Sequence, residues 1–151
     1  MEKTQFTTRQ ASWKNDATEL MHVRNEVFVQ EQNVPAHIES DDYDPVSWYV
    51  LAESNDGTAV ACARLQPNGK ITRIAVRKPW RRQGIAREML KQILSVAQQN
   101  NLQSLYLHAQ LSASDLYKEF GFIETGSQFE EAGIQHIKMT RSADTQTRTQ
   151  E

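Results

Sequence analysis

With a single cysteine, Cys62, the chain has no partner for an intrachain disulfide, which fits a reducing compartment. No apolar run approaches the ~20 residues that a membrane helix needs. The opening Met1-Glu2-Lys3-Thr4-Gln5 is too polar for a signal peptide, so a soluble cytoplasmic protein with no membrane association is expected. The four histidines, His22, His37, His108 and His136, stand at no metal-ligand spacing and no cysteine pair assists them, so no metal is expected. A formal charge of -2 and a pI near 6.1 argue against nucleic acid as a partner. Neither Gly-x-Gly-x-x-Gly nor a glycine-rich loop ending in Gly-Lys-Ser/Thr occurs, so two common nucleotide fingerprints are missing. Ser112 and Ser114 read as helix-start residues rather than as part of a Ser-His-Asp arrangement.

What remains is one domain of 151 residues, long enough for a full hydrophobic core. A strand is predicted over 6–11. A helix follows to about Gln30, begun by Asp16 with Glu19 three residues later, a partial capping box. The acidic, proline-containing stretch 31–45 reads as a loop with at most a short helical turn. Strands over 47–53, 58–66 and 70–76 are joined by Asn55-Asp56-Gly57 and Pro67-Asn68-Gly69, which form a meander. Ile85, Met89, Ile93, Val96 and Ala97 mark the inner face of a helix over 83–100. After a strand over 104–109, Ser112 caps a short helix that Gly121 ends. Strands over 122–129 and 134–140 complete the domain, residues 1–140. The polar tail 141–151 is expected to be disordered. The order is that of an α/β fold with a mixed sheet. Cys62 lies in the apolar run 59–63 and reads as a small buried residue.

The most informative stretch runs from Ile74 to Ala86. It is a β-branched strand, a basic loop, and a glycine at the opening of a long amphipathic helix. Helix N-termini present unpaired N–H groups and the positive end of the macrodipole, an arrangement suited to phosphate. Gly84 permits close approach of a ligand to the backbone, Ala86 keeps the next inward position small, and Arg81 and Arg82 add positive charge. Basic residues cluster around this segment, whereas Glu31, Glu39, Asp41, Asp42 and Asp44 gather elsewhere. That separation suits an anionic cofactor and a cationic acceptor.

Arg81-x-x-Gly84-x-Ala86 directly after a strand resembles the pyrophosphate-binding motif of the GNAT superfamily of acyl-CoA-dependent N-acyltransferases. About thirty residues on, Gln110-x-x-Ala113-x-x-Leu116-Tyr117-Lys118-Glu119-Phe120-Gly121-Phe122 is similar to that superfamily's Asn-x-x-Ala-x-x-Phe/Leu-Tyr-x-x-x-Gly-Phe segment. The run Arg24-x-x-Val27-Phe28-Val29-x-Glu31-Gln32-x-Val34-Pro35 and the later Phe129-x-Glu131-Ala132-Gly133-Ile134-x-His136 resemble a bacterial branch of it whose substrates are poorly defined.

The resemblance implies the GNAT fold: a mixed central sheet with flanking helices, whose fourth and fifth strands, here 70–76 and 104–109, splay apart to admit acetyl-CoA. It implies an acetyltransferase acting by direct attack of a primary amine, from a small molecule or a protein, in a ternary complex. By the same resemblance Ile74, Ala75 and Val76 hold the pantetheine through their main chain. Arg81, Arg82, Gln83, Gly84, Ile85, Ala86 and Arg87 hold the pyrophosphate, and Gln110, in place of the more usual asparagine, borders the cofactor. Tyr117 is the implied general acid, donating a proton to the sulfur of coenzyme A, and it also contacts the cofactor. Many relatives carry a carboxylate near position 72, where this chain has Thr72, so the base is open among Glu31, Glu39, His108, His136 and water-mediated deprotonation without a dedicated base. His136 is the candidate placed with Tyr117 as catalytic, and Glu31 and Arg73 are expected to bind the acceptor. A homodimer is possible, since many relatives dimerise. The alternative function is a non-catalytic domain that senses acyl-CoA. Transfer of a longer acyl group, or transfer to a hydroxyl, is a third.

Overall fold

The computed structural model describes residues 5–142. Its seven strands form one mixed sheet in the order β1-β2-β3-β4-β5-β7-β6. They are β1 (Phe6–Ala11), β2 (Trp48–Ser54), β3 (Ala59–Leu65), β4 (Lys70–Val76), β5 (Ser104–Gln110), β6 (Ile123–Glu131) and β7 (Ile134–Ser142). The helices are α1 (Trp13–Arg24), α2 (Ala36–Glu39), α3 (Ile85–Gln99) and α4 (Ser114–Glu119). The expected element order is therefore present.

Four boundaries differ from expectation. Ser12, not Asp16, caps α1: its hydroxyl accepts the Asn15 N–H at 3.1 Å, while Asp16 Oδ2 accepts the Ser12 N–H at 3.0 Å. That helix does not run on to Gln30 as α-helix. It widens into a π-helical segment, Asn25–Glu31, where Gln32 N–H reaches Val27 O at 3.1 Å. Ser112 is not a cap either, because it lies in a 3-10 turn, Leu111–Ala113, that precedes α4. At the C-terminus β7 carries on through Arg141 and Ser142, and Arg141 Nε donates to Phe120 O at 2.7 Å. The remainder of the expected tail lies outside the described residues.

Each face of the sheet buries one cluster. Val50, Ala52, Leu65, Leu105, Leu107 and Met139 pack against Ile85, Met89, Ile93 and Val96 of α3. On the other face Tyr49, Leu51, Cys62 and Ala75 pack against Leu20 and Val23 of α1. Both helices thus spend their apolar stripes on the sheet. Cys62 is a core residue as expected, and burial pushes its thiol up to about 12, which removes it as a nucleophile.

Two backbone features open the site. The parallel strands β4 and β5 pair only at Lys70 with Tyr106 and Ile71 with Leu107, after which they diverge. Gly69 holds the base of this fork. Its φ of +92° is a glycine conformation, its carbonyl accepts Tyr106 N–H at 3.0 Å, and a Cβ there would collide with the Ser104 carbonyl oxygen. Higher in β4 the register against β3 shifts between Cys62 and Arg64, and Arg73 adopts φ +56°. This bulge re-aims the strand where it leaves β5.

Candidate functional site

The fork opens into a cavity of about 820 Å³. Its wall includes Ile74, Ala75 and Val76 of β4, Arg81, Arg82, Gly84, Ile85, Ala86 and Arg87 at the start of α3, Gln110 of β5, and Tyr117 of α4. Arg73 and His136 also line it, whereas Gln83 and Glu31 do not. Residues far apart in sequence but expected to share a ligand are therefore neighbours around one space.

Strand geometry directs the main chain at that space. Arg77 N–H donates to Val60 O at 2.9 Å, so residue 77 faces β3. By alternation Val76 and Ile74 turn their N–H and C=O groups the other way, across the fork. Val76 O accepts Arg81 Nε at 2.8 Å, which leaves the N–H of Val76 and both groups of Ile74 for a ligand. Gly84, the residue before α3, has φ +83°, and a Cβ built on it meets nothing within 4 Å. The first turn of α3 has no intrahelical partner for its N–H groups, so the helix end can receive an anion.

The arginines are more committed than their sequence positions suggest. Arg81 makes a bidentate pair with Glu31 at 2.8 and 2.6 Å. That bond holds the Glu31 carboxyl below the usual range and joins the π-helical segment to the strand end. Arg77 pairs with Glu26, partly buried, and Arg87 with Glu119 at the surface. Arg82 is exposed, at φ +65°, with no hydrogen bond to any described residue. Of the arginines that line the cavity it is the one free for a ligand's phosphate.

The acidic loop, read from sequence as facing a cationic acceptor, is mostly an internal structure. Arg24, fully buried, places Nε on Glu39 Oε2 at 2.5 Å and Nη1 on Asp44 Oδ1 at 2.8 Å. Arg64 reaches Asp41 and Asp44, both at 2.7 Å, and donates to Thr72 Oγ1. Arg73 donates to Glu39 O at 3.0 and 2.6 Å and to Asp41 Oδ2 at 3.2 Å. Sequence reasoning missed Arg24, Arg64 and Asp44 as buried partners. The detectable signal was Arg64 inside the otherwise apolar run 59–65; Arg24, flanked by His22, Asn25 and Glu26, carries no such mark. Glu39 Oε1 is buried without a hydrogen-bond partner, although Glu39 borders the cavity.

The two residues expected to be catalytic, Tyr117 and His136, both line the cavity. Tyr117 is 8% exposed and packs edge-on against Phe122 at 6.1 Å, and its hydroxyl bonds to no described residue. Burial pushes its phenol up to about 12, so it holds its proton at neutral pH and can serve as a donor. His136 lies on β7 opposite Gln110, stacked on Phe129, with Nδ1 2.6 Å from Ile134 O. A carbonyl only accepts, so Nδ1 carries the hydrogen and Nε2 is left as an acceptor.

Comparison with known proteins places this architecture in context. The family model described as an acetyltransferase (GNAT) domain matches residues 11–143. The uncharacterized N-acetyltransferase YjcF of Bacillus subtilis is 32% identical over 124 residues, which cover 80% of this chain and 88% of that protein. The crystal structure of Escherichia coli ElaA superposes with a TM-score of 0.80 at 27% identity, covering 90% of this chain and 99% of ElaA. An acyl-CoA N-acyltransferase from Pseudomonas aeruginosa gives a TM-score of 0.78 at 28% identity, covering 93% and 100%.

Proposed function

The chain belongs to the GNAT acetyltransferase family, and from that premise we propose that it transfers an acetyl group from acetyl-CoA to a primary amine by direct attack in a ternary complex. The observation that carries this reading is the fork between β4 and β5. It opens beside unpaired main-chain groups, ends at an uncovered helix N-terminus, and has a proton-bearing phenol on its wall. Those features fit the three parts of coenzyme A in order. Ile74 and Val76 offer main-chain groups to an amide-bearing arm, and the first turn of α3 with Gly84 and Arg82 takes the diphosphate. Acetyl-CoA supplies the activated thioester.

The side chains do the rest. The N–H of Val76 points into the fork and can polarise a carbonyl oxygen placed there. Tyr117 gives its proton to a departing thiolate. Glu31 and Arg81, locked together, tie the π-helical segment to the end of β4 beside the cavity.

The test is transfer of radiolabelled acetyl from acetyl-CoA to a panel of n-butylamine, putrescine, phenethylamine and Nα-acetyl-lysine. Labelled amide should form on at least one. Tight coenzyme A binding with no label on any primary amine would turn the reading toward a domain that senses acyl-CoA without transfer.

A further inference from the structure

The acetyl-transfer reading needs a group that relieves the acceptor ammonium of a proton. Position 72 is Thr72, and the carboxylate of Glu39, 2% exposed, is committed to Arg24 and Arg73. We propose that His108 takes that proton, with Glu131 as its positioning residue; the inference rests on the acetyl-transfer reading.

Along β5 the residues Leu105, Leu107 and Ala109 enter the core. Alternation turns Tyr106, His108 and Gln110 to the opposite face, and His108 and Gln110 border the cavity there. His108 Nδ1 lies 2.9 Å from Glu131 Oε1, and Glu131 lines the same cavity. A carboxylate only accepts, so Nδ1 carries the hydrogen and Nε2 keeps its lone pair. A T-shaped contact with Phe129, centroids 5.0 Å apart, restricts the imidazole plane. Glu131 also offsets the positive charge that appears when Nε2 is protonated.

His136 has neither advantage. It is 7% exposed, it stacks under Phe129, and its Nδ1 partner is a neutral carbonyl. The His108 side chain is 25% exposed and remains reachable. The other charged or titratable groups around it are Tyr106, Lys138 across the β5–β7 pair, His136, and Lys70, which feels the Glu131 charge.

The protons balance. His108 Nε2 takes one proton from the bound ammonium and passes it to water. The freed amine lone pair forms the C–N bond as the C–S bond breaks, and sulfur leaves with that bond's electron pair and the Tyr117 proton. The proton shed by nitrogen on becoming an amide restores the phenol through solvent. Each turnover releases one proton.

The test has two arms. In protein carrying ¹⁵N-histidine, with His108 assigned through His108→Gln, the resting imidazole should be the Nδ1–H tautomer, and Glu131→Gln should mix the tautomers. An Nε2–H tautomer in the unaltered protein would overturn the inference whether or not any amine is acetylated. In the second arm, rate against pH is followed with whichever panel amine turns over fastest. His108→Gln should lower kcat by about 10² to 10⁴ and erase the acid limb, with little change in coenzyme A affinity. Glu131→Gln should displace that limb. An unchanged acid limb and a rate within a few-fold of the parent would refute the base while leaving acetyl transfer intact. Absence of turnover on every amine would refute the transfer reading and this assignment together.

Discussion

Gly84 is the position where the cofactor reading is most exposed to refutation, and the comparison that isolates it is Gly84→Ala against Gly84→Glu. Both changes force an L-residue to φ +83°, at a cost of roughly 1–2 kcal/mol. For a domain of this size that is a fall in Tm of about 2–8 °C. Neither meets a steric wall within the protein, because a Cβ there finds nothing within 4 Å, so both variants should fold. They differ in what they put into the cavity. Alanine adds one methyl at the helix end, whereas glutamate adds a negative charge as well. At an effective dielectric of ~20, a carboxylate about 5 Å from one phosphate charge costs about 3 kcal/mol. That corresponds to roughly 10² in Kd. Calorimetric titration with coenzyme A should therefore show a modest loss for alanine and a further loss of about two orders of magnitude for glutamate, at similar Tm. Equal affinities for the two variants would mean that no diphosphate sits at the start of α3.

Tyr117→Phe should lower kcat by about 10² to 10⁴ while coenzyme A affinity stays within a few-fold, measured by steady-state kinetics beside calorimetry. Because burial pushes that phenol up to about 12, its donor role should persist far into the alkaline range, and a rate falling with an ordinary tyrosine titration near ~10 would contradict it. Arg24→Met should destabilise the fold by about 3–5 kcal/mol, since it leaves Glu39 and Asp44 buried without their shared partner; calorimetric melting within 2 °C of the parent would refute this. Burial alone would raise the Asp44 carboxyl, but hydrogen bonds from Arg24 outweigh it and hold the group below the usual range. Arg64 does the same for the partly buried Asp41. Both folded values are depressed, so their stabilisation is present above the ordinary carboxylate range and is lost as pH falls through the folded values. Urea unfolding should therefore weaken below about pH 4. A stability that holds or grows on acidification would count against the network.

The parts of this molecule that could be read from the chain are those in which local pattern and partner are close in sequence. The hairpin turns, the α3 stripe from Ile85 to Ala97, and the glycine ahead of that helix each state their own geometry within a few residues. The start of α1 is ambiguous in the sequence because Asp16 and Ser12 are both good caps, and Ser12 wins while Asp16 accepts its N–H. The π-helical widening at Asn25–Glu31 has no local signature in periodicity, since Val27 and Phe28 suit either winding. What fixes its end is a tertiary contact, the pair of Glu31 with Arg81, fifty residues away.

Charge was the hardest thing to read, because an arginine in a sequence looks solvated until its partner is known. Arg24, Arg64 and Arg73 belong to three different elements, and Glu39, Asp41 and Asp44 to one short segment, yet they form a single network of three guanidinium and three carboxylate groups, buried at Arg24, Arg64, Glu39 and Asp44. Buried ion pairs of this kind add little net stability over apolar packing, but removing one member is costly, so their consequence here is geometric. Tyr49 Oη, which donates to Asp44 O at 2.8 Å, extends the hold to β2. The loop carrying Val34, Pro35 and Glu39 is fixed against β3 and the bulged part of β4, and these three residues form a wall of the cavity. The conformation of Arg73 at φ +56° follows from the same requirement, because its guanidinium must reach Glu39 O while its own carbonyl accepts the Cys62 thiol. An acidic loop that reads as a charged lure for a basic acceptor is therefore spent on holding that wall rigid. On the reading proposed above, the pair left to meet an acceptor is His108 with Glu131, which lines the same cavity.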